Sequence, residues 1–145
     1  MMQLENYLDS TYLKTPKQAS ISEEETLSIL KNLTDEAIEN QIFAVMIRPD
    51  FVKEIRRYLD SNNSEVILGT VIGFPEGTFT KSEKLAEANQ AIFDGADELD
   101  FVINYEAYKN GEIDLVKSEF INCSSLALKN NKVAKWIIEI AALNN

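Results

Sequence analysis

The 145-residue sequence contains no histidine and one cysteine. The lack of histidine excludes Ser-His-Asp and Cys-His nucleophile systems and removes most zinc sites. With Cys123 as the single cysteine, an internal disulfide is impossible, which is typical of proteins from a reducing compartment. Catalysis by these residues must therefore use lysine, carboxylate or hydroxyl groups, and we expect no metal ion.

Basic residues, nucleotide-binding motifs and long apolar runs are also scarce. Fourteen Lys and Arg stand against 24 Asp and Glu, giving a formal net charge of −10. This charge disfavours nucleic acid as a partner, because nucleic-acid binding depends on cations that neutralise phosphates. No Walker loop or G-x-G-x-x-G is present, so we expect no cofactor. No apolar run approaches the ~20 residues of a membrane span, and the N-terminus lacks a signal-peptide stretch, so we expect a cytoplasmic protein without a membrane partner.

What the sequence does contain is an alternation of short β-rich runs with helical patterns. Apolar residues make up 45% of the chain, enough for the core of one domain. Helical patterns begin near Ser22, Pro49, Thr80 and Ile113, and the first and third of these starts are capping boxes. The predicted strands are Tyr7–Leu13, Phe43–Arg48, Val66–Phe74, Leu99–Asn104 and Val133–Ile140.

This alternation implies a parallel sheet with right-handed crossovers. Two architectures fit it, an open doubly wound sheet and part of a (β/α)8 barrel. In the fourth strand, Glu98 and Asp100 share one face, while Leu99 and Phe101 share the other. A polar strand face suits a barrel lumen near its mouth, so we favour the barrel.

The charged strand residues have a structural interpretation as well, because buried charges are costly unless they pair or function. Lys135 shares a face with Val133 and Ile137 and is a candidate ion-pair partner for Asp100, which would not exclude catalysis. Lys135 is expected early in the fifth strand, away from the C-terminal mouth. Lys84 is expected on a helix, and we interpret both lysines as structural.

Three ordered motifs carry a resemblance to a known family. Leu8–Lys14 has the sequence LDSTYLK, Val71–Gly77 has VIGFPEG, and Gly95–Asn104 has GADELDFVIN. At these separations they resemble motifs of the deoxyribose-phosphate aldolases, which are class I aldolases of the (β/α)8 barrel type. The resemblance extends from about Leu8 to Leu143.

The resemblance implies a reaction and a set of site residues. Members of the family cleave 2-deoxy-D-ribose 5-phosphate to glyceraldehyde 3-phosphate and acetaldehyde through a Schiff base on a lysine. Asp100 matches an aspartate that relays protons, and Asp9 and Thr11 match residues that line the active site. Phe74 matches the loop at the barrel mouth. Met46 stands where many members have cysteine, so thiol chemistry is not expected there.

The resemblance also implies that parts of the barrel lie outside residues 1–145. The family's Schiff-base lysine and its companion lysine lie on strands six and seven, and such barrels usually bind phosphate with loops after strands seven and eight. We therefore expect residues 1–145 to form one partial barrel domain, about the first five βα units, without strands six to eight. This chain alone is expected to be inactive, and to form a homo-oligomer or associate with a C-terminal half.

Three functions remain open. The favoured one is an aldolase for a small phosphorylated sugar. The second is another phosphate-sugar barrel lyase, since the fold hosts many chemistries, although the motifs argue against it. The third is a non-catalytic half-barrel that self-associates. In each case we expect Cys123 to be a small buried thiol and not a nucleophile.

Overall fold

The computed structural model describes residues 4–143, whose strands form a single parallel sheet. Each strand pairs with the next strand along the chain, in the order β1-β2-β3-β4-β5. A doubly wound sheet reverses its strand order at a switch point, whereas a barrel wall keeps chain order. The strand order therefore supports the barrel alternative. The strands are β1 (Asp9–Tyr12), β2 (Ala44–Ile47), β3 (Ile67–Ile72), β4 (Glu98–Val102) and β5 (Val133–Ile137).

Helices follow the strands and cover one face of the sheet. The predicted capping boxes at Ser22 and Thr80 are confirmed, because each hydroxyl accepts the backbone N–H three residues later and each N3 glutamate accepts the cap N–H. Within residues 4–143, no helix has both the length and the apolar character to cross a membrane. The helices are α1 (Pro16–Ala19), α2 (Glu23–Glu39), α3 (Val52–Ser61), α4 (Lys81–Asp94), α5 (Tyr105–Lys109), α6 (Ile113–Lys129) and α7 (Ile140–Leu143).

The element ends differ from the prediction at both termini of the sheet. A 3-10 turn at Leu4–Tyr7 precedes β1, so the first strand is shorter than expected. The fifth strand ends at Ile137, since Glu139 adopts a left-handed φ of 46° and α7 then begins. The short helices α1 and α5 were not predicted, because four or five residues do not show a full apolar period.

The two faces of the sheet have the predicted division of side chains. Leu99 and Phe101 of β4 are fully buried beneath the helices, in a core that also includes residues of the other strands and of α2, α3, α4 and α6. Trp136 of β5 packs on the same side, stacked on Phe120 at 3.9 Å between ring centroids, and its indole N–H donates to the Ser124 hydroxyl. The opposite, concave face carries the charged residues.

One ion pair lies wholly inside the helix layer. The Lys84 ammonium donates to a Glu119 carboxylate oxygen at 2.8 Å and to the Val102 carbonyl at 2.9 Å, and both charged side chains are at most 1% exposed. This pair joins α4, α6 and the end of β4. The structural interpretation of Lys84 agrees with this placement, because its ammonium has no access to a substrate.

Candidate functional site

Three carboxylates on the concave face converge on one ammonium group. Lys135 Nζ lies 2.9 Å from Glu98, 3.1 Å from Asp9 and 3.4 Å from Asp100. Glu98 and Asp100 project from β4, next to β5, whereas Asp9 lies on β1 at the other edge of the sheet. The contact between Asp9 and Lys135 therefore crosses the concave face, which shows that the sheet curves as a barrel wall does.

The position of Lys135 corrects one expectation from the sequence. Lys135 is the middle residue of β5 and pairs in register with Asp100, which in turn pairs with neighbouring strand β3 through Val71. The sequence predicts that Lys135 lies away from the site, whereas in the structure Lys135 is part of it. The expected ion pair between Asp100 and Lys135 is confirmed.

The carboxylates determine the protonation state of Lys135. Burial lowers the pKa of Lys135, but the Glu98, Asp9 and Asp100 carboxylates outweigh that effect and raise the pKa above the ordinary lysine value. An amine forms a Schiff base only when it is unprotonated, which requires a lowered pKa. In this arrangement Lys135 is a stable cation and not a Schiff-base nucleophile.

Asp100 has the opposite balance. Burial is the largest effect on the pKa of Asp100 and raises it, and the Glu98 and Asp9 charges add to the rise, while Lys135 opposes it. Oδ1 of Asp100 and Oε2 of Glu98 are buried and accept no hydrogen bond from any described residue, since their contacts to Lys135 are ion pairs without hydrogen-bond geometry. Such a carboxyl can accept a hydrogen bond from a water or hydroxyl group, and its raised pKa makes it a better proton acceptor than an ordinary aspartate.

Met46 and Thr11 form an adjacent layer of the concave face. They pair in register, and Met46 also pairs with Gly69 of β3. The Met46 side chain is only 4% exposed and occupies the space over Gly69, where an added Cβ would collide with the Met46 methyl group. The Thr11 hydroxyl donates weakly to the Asp9 carbonyl at 3.4 Å. An apolar patch therefore lies beside the charged cluster.

Phe74 lies apart from this cluster, just after β3. The Arg48 guanidinium stacks over its ring at 4.8 Å from the centroid and donates from Nη1 to its carbonyl. Nε of Arg48 donates to the Leu13 carbonyl at 2.8 Å, so Arg48 ties together the segments that follow β1 and β3.

The glycine loop after β3 is held by close contacts. Gly77 has φ of 68°, and an added Cβ there would collide with the Ile103 carbonyl after β4. The Gly73 N–H donates to the Glu87 carboxylate of α4 at 2.7 Å. Gly73 has a positive φ of 69° as well, so both turns of the loop favour glycine, which explains the spacing of the VIGFPEG motif by backbone conformation and packing.

The predicted site residues thus fall into three groups. Asp9 and Asp100 meet at Lys135, Thr11 and Met46 share a layer, and Phe74 belongs to the mouth loops. Glu98, Lys135 and Arg48 were missed as site residues. Strand alternation was the signal that could have found them, because each lies two positions from a residue on the concave face.

Comparison with known proteins agrees with this geometry. The family model described as DeoC/LacD family aldolase matches residues 6–139. The chain belongs to this family. It is 39% identical over 144 residues to a deoxyribose-phosphate aldolase of Lactiplantibacillus plantarum, covering 99% of this chain and 62% of that protein. A deoxyribose-phosphate aldolase of Caldicellulosiruptor saccharolyticus is 35% identical, with 99% of this chain and 61% of that protein covered.

Solved structures confirm the fold class. The tetrameric deoxyribose phosphate aldolase of Aeropyrum pernix superposes with a TM-score of 0.81 and 28% identity, over 97% of this chain and 54% of that one. The five-stranded parallel sheet thus matches a (β/α)8 barrel aldolase over about half its length. The chain spans about 60% of the length of the curated relatives it matches.

Proposed function

We propose that this chain forms the N-terminal part of a class I aldolase that cleaves 2-deoxy-D-ribose 5-phosphate to glyceraldehyde 3-phosphate and acetaldehyde. The observation that carries the proposal is the cluster of Asp9, Glu98 and Asp100 around Lys135, on the concave face of a sheet from this aldolase family. The named relatives at 35–39% identity are deoxyribose-phosphate aldolases, which supports this substrate.

In this proposal Asp100 moves protons through a bound water, as its raised pKa and its unbonded buried oxygen allow. Asp9 and Thr11 line the substrate site, with Met46 as its apolar wall and Phe74 at its mouth. Lys135 stays protonated and holds the three carboxylates in place. The Schiff-base lysine comes from strand six, outside residues 1–145, because Lys84 is buried in the helix layer and Lys135 is a cation.

Residues 1–145 in this proposal are one partial barrel domain whose edges, β1 and β5, pair with further strands. Unpaired backbone groups at a sheet edge invite pairing with another chain. The partner is a segment carrying strands six to eight or a second copy of this chain, and the site of action is the cytoplasm.

The test is a fusion of residues 1–143 to the C-terminal part of the Lactiplantibacillus plantarum aldolase that the chain does not match. We expect the fusion to cleave 2-deoxyribose 5-phosphate and, with borohydride, to trap a covalent adduct on a lysine of the added part. The unfused chain should show neither reaction. A folded fusion with no cleavage and no adduct would overturn the aldolase proposal.

A variant of the same fusion protein tests the role of Asp100 in catalysis. Asp100→Leu should remove most of the activity while the circular dichroism spectrum stays unchanged, because the carboxylate is lost and a side chain branched at the same atom remains. Asp114→Leu, at an exposed position of α6, is the matched control and should keep full activity. Unchanged turnover in Asp100→Leu would mean that the carboxylate is structural.

A second candidate, a non-catalytic half-barrel that self-associates, is favoured by one observation. Ile121 and Leu128 on the outer side of α6 are 66% and 68% exposed, and Val133 of the edge strand is 48% exposed. Sedimentation of the 145-residue chain tests it. A stable oligomer of the chain, together with an inactive fusion, would favour this function, whereas a compact monomer with cooperative melting would contradict it.

A further inference from the structure

The Met46 side chain extends across the concave face toward the strand that carries Asp100. Met46 projects from β2, and its methyl group lies over Gly69 of the neighbouring strand, where an added Cβ would also lie 3.1 Å from the Met46 sulfur. Since β3 separates β2 from β4, the thioether points in the direction of Asp100. Neighbouring strands are about 4.8 Å apart, so the β2 and β4 backbones are separated by roughly 10 Å. The missing side chain at Gly69 therefore gives Met46 the space to extend between the two strands.

The stagger of the strands determines which residues lie at the same height in the lumen. Through the successive pairings across the sheet, Thr11 is level with Val133. The Lys135 ammonium nevertheless lies 3.1 Å from the Asp9 carboxylate. Asp9 is two residues before Thr11, and Lys135 is two residues after Val133, so the contact spans a stagger of four residues over the four steps from β1 to β5. A closed (β/α)8 barrel has the same stagger, about eight residues over its eight strands.

This stagger places Met46 and Asp100 in one layer of the lumen. In register Met46 is level with Glu98, through the pairing of both with Gly69. Because β4 is two strands away from β2, a plane across the lumen passes from Met46 to the residue two positions after Glu98, which is Asp100. Barrel interiors consist of such layers, each formed by side chains of alternate strands. Met46 is thus an apolar member, and Asp100 an acidic member, of the same layer.

The proposed reaction brings one carbon atom of the donor aldehyde to this layer. In the synthetic direction, acetaldehyde condenses with the Schiff-base lysine to an imine and releases water, and the methyl carbon of the protonated imine then loses a proton to give the enamine. Asp100, acting through a water molecule, is the proposed acceptor of that proton. The carbon that loses the proton must therefore lie within one water molecule of the Asp100 carboxylate, at the height of Met46.

The same carbon distinguishes acetaldehyde from larger donors. In the enamine of acetaldehyde it bears only hydrogen, whereas in the enamine of propanal it bears a methyl group. This carbon forms the new bond to the aldehyde carbon of glyceraldehyde 3-phosphate, whose oxygen takes up a proton, and water then releases the product from the lysine. An extra methyl group on it would enter the space that the Met46 thioether fills, where Met46 is only 4% exposed.

We propose that Met46 is a specificity-determining residue, whose thioether beside Gly69 restricts the donor to acetaldehyde. The inference rests on the proposed aldolase function. Truncation of Met46 to alanine removes the thioether next to a residue without a side chain, and cavities left by such truncations close only partly. The resulting space has the position and the apolar character to accept a substituent on the donor carbon.

The test measures donor preference in the fusion with the C-terminal part of the Lactiplantibacillus plantarum aldolase. With glyceraldehyde 3-phosphate as acceptor, kcat/KM is measured for acetaldehyde and for propanal, and each addition retains every atom of both aldehydes. Met46→Ala should raise the ratio of propanal to acetaldehyde at least about tenfold, as expected when a pocket gains room for one carbon group. Met46→Leu keeps an apolar side chain of similar volume and should keep the parent ratio. Leu68→Ala, the matched control, opens a cavity on the helix side of β3 and should lower stability without changing the ratio.

A second measurement keeps the test valid if Met46→Ala does not fold. The fusion is labelled with methyl-13C methionine, and the Met46 signal is assigned by its loss in Met46→Leu. When borohydride traps acetaldehyde on the Schiff-base lysine, the Met46 methyl signal should shift, because the trapped ethyl group lies against the thioether. This measurement reports on proximity and does not depend on turnover of propanal.

Each outcome decides the proposal. An active fusion whose donor ratio is unchanged in folded Met46→Ala overturns this inference and leaves the aldolase proposal standing, as does an unshifted Met46 signal after the adduct has formed. An equal rise of the ratio in Leu68→Ala also overturns it, because the change would then come from general loosening of the fold. A folded fusion with no cleavage and no adduct overturns the aldolase proposal, and this inference with it.

Discussion

Lys84 and Lys135 contact carboxylates on opposite sides of the sheet, and they differ in burial and in the number of their partners. Lys84, on the helix side, is fully buried, has one carboxylate partner in Glu119, and also donates to a backbone carbonyl. Lys135, on the concave side, is 36% exposed and contacts three carboxylates at once. The charges of Lys84 and Glu119 therefore balance. Lys135 and its three carboxylate partners together carry an excess of negative charge.

This difference separates a structural ion pair from a site. The buried Lys84–Glu119 pair has matched charges and joins two helices to a strand end, so it contributes rigidity to the helix layer. The cluster at Lys135 leaves buried oxygens of Glu98 and Asp100 without a hydrogen bond from the described residues, and burial raises the pKa of Asp100 although Lys135 opposes the rise. Carboxyl groups whose pKa is shifted by burial and by neighbouring charges are characteristic of functional sites.

The largest effect on the free energy of unfolding is expected at the buried Lys84–Glu119 pair. Lys84→Met removes the partner of a fully buried carboxylate, so the free energy of unfolding should fall by about 3–5 kcal/mol. Urea denaturation followed by the fluorescence of Trp136, the single tryptophan, measures this change. Lys81→Met, at an exposed position of the same helix, is the control and should cost less than about 1 kcal/mol. An equally small loss in Lys84→Met would contradict the assigned importance of the pair.

A double variant distinguishes the stability that the Lys84–Glu119 pair contributes from the destabilisation caused by a buried unpaired charge. Lys84→Met with Glu119→Leu removes both charges at similar volume and should recover at least about 2 kcal/mol of the single-variant loss, because no charge remains buried alone. The same denaturation curves supply the coupling energy. If the two single losses simply add, the ion-pair interpretation fails.

A smaller effect with a pH dependence is expected at Lys135. Lys135→Met leaves three neighbouring carboxylates unneutralised, so stability at pH 7 should fall by about 1 kcal/mol. This loss should shrink on acidification, because Asp100, whose pKa is raised, takes up a proton and loses its charge. On the alkaline side, the raised pKa of Lys135 means that its contribution is fully present up to pH 10.5 and is lost as the pH rises through the folded-state pKa. Denaturation at several pH values measures this trend, and a loss that grows on acidification would disprove it.

The smallest effect is expected for Asp100→Asn. Because the folded-state pKa of Asp100 is above the ordinary 3.8, the folded state binds the proton more tightly, and stability falls as the pH rises through that range. Asparagine removes this penalty, so the variant should be as stable as the parent at pH 7 or better by less than about 1 kcal/mol, with a flatter pH profile. A clear destabilisation at pH 7 would show that Asp100 is a net stabilising partner of Lys135.

Local periodicity was enough to predict much of the architecture. The five strands, the four main helices and the separation of Glu98 and Asp100 from Leu99 and Phe101 follow from alternation and capping, which depend on neighbours in sequence. The ends of β1 and β5 were wrong, since the turn at Leu4–Tyr7 and the left-handed Glu139 have no periodic signal. Three ordered motifs were enough to indicate the family.

By itself the sequence determined the five strands and four main helices, the polar and apolar faces of the fourth strand, and the family, because these depend on residue type and spacing along the chain. Only the tertiary structure decided which charges meet. Asp9 and Lys135 are far apart in sequence, yet the curvature of the sheet places them 3.1 Å apart. The same folding sets Arg48 between the Leu13 and Phe74 carbonyls and buries Lys84 against Glu119. Contacts of this range depend on how strands curve and helices pack, and no local pattern encodes them.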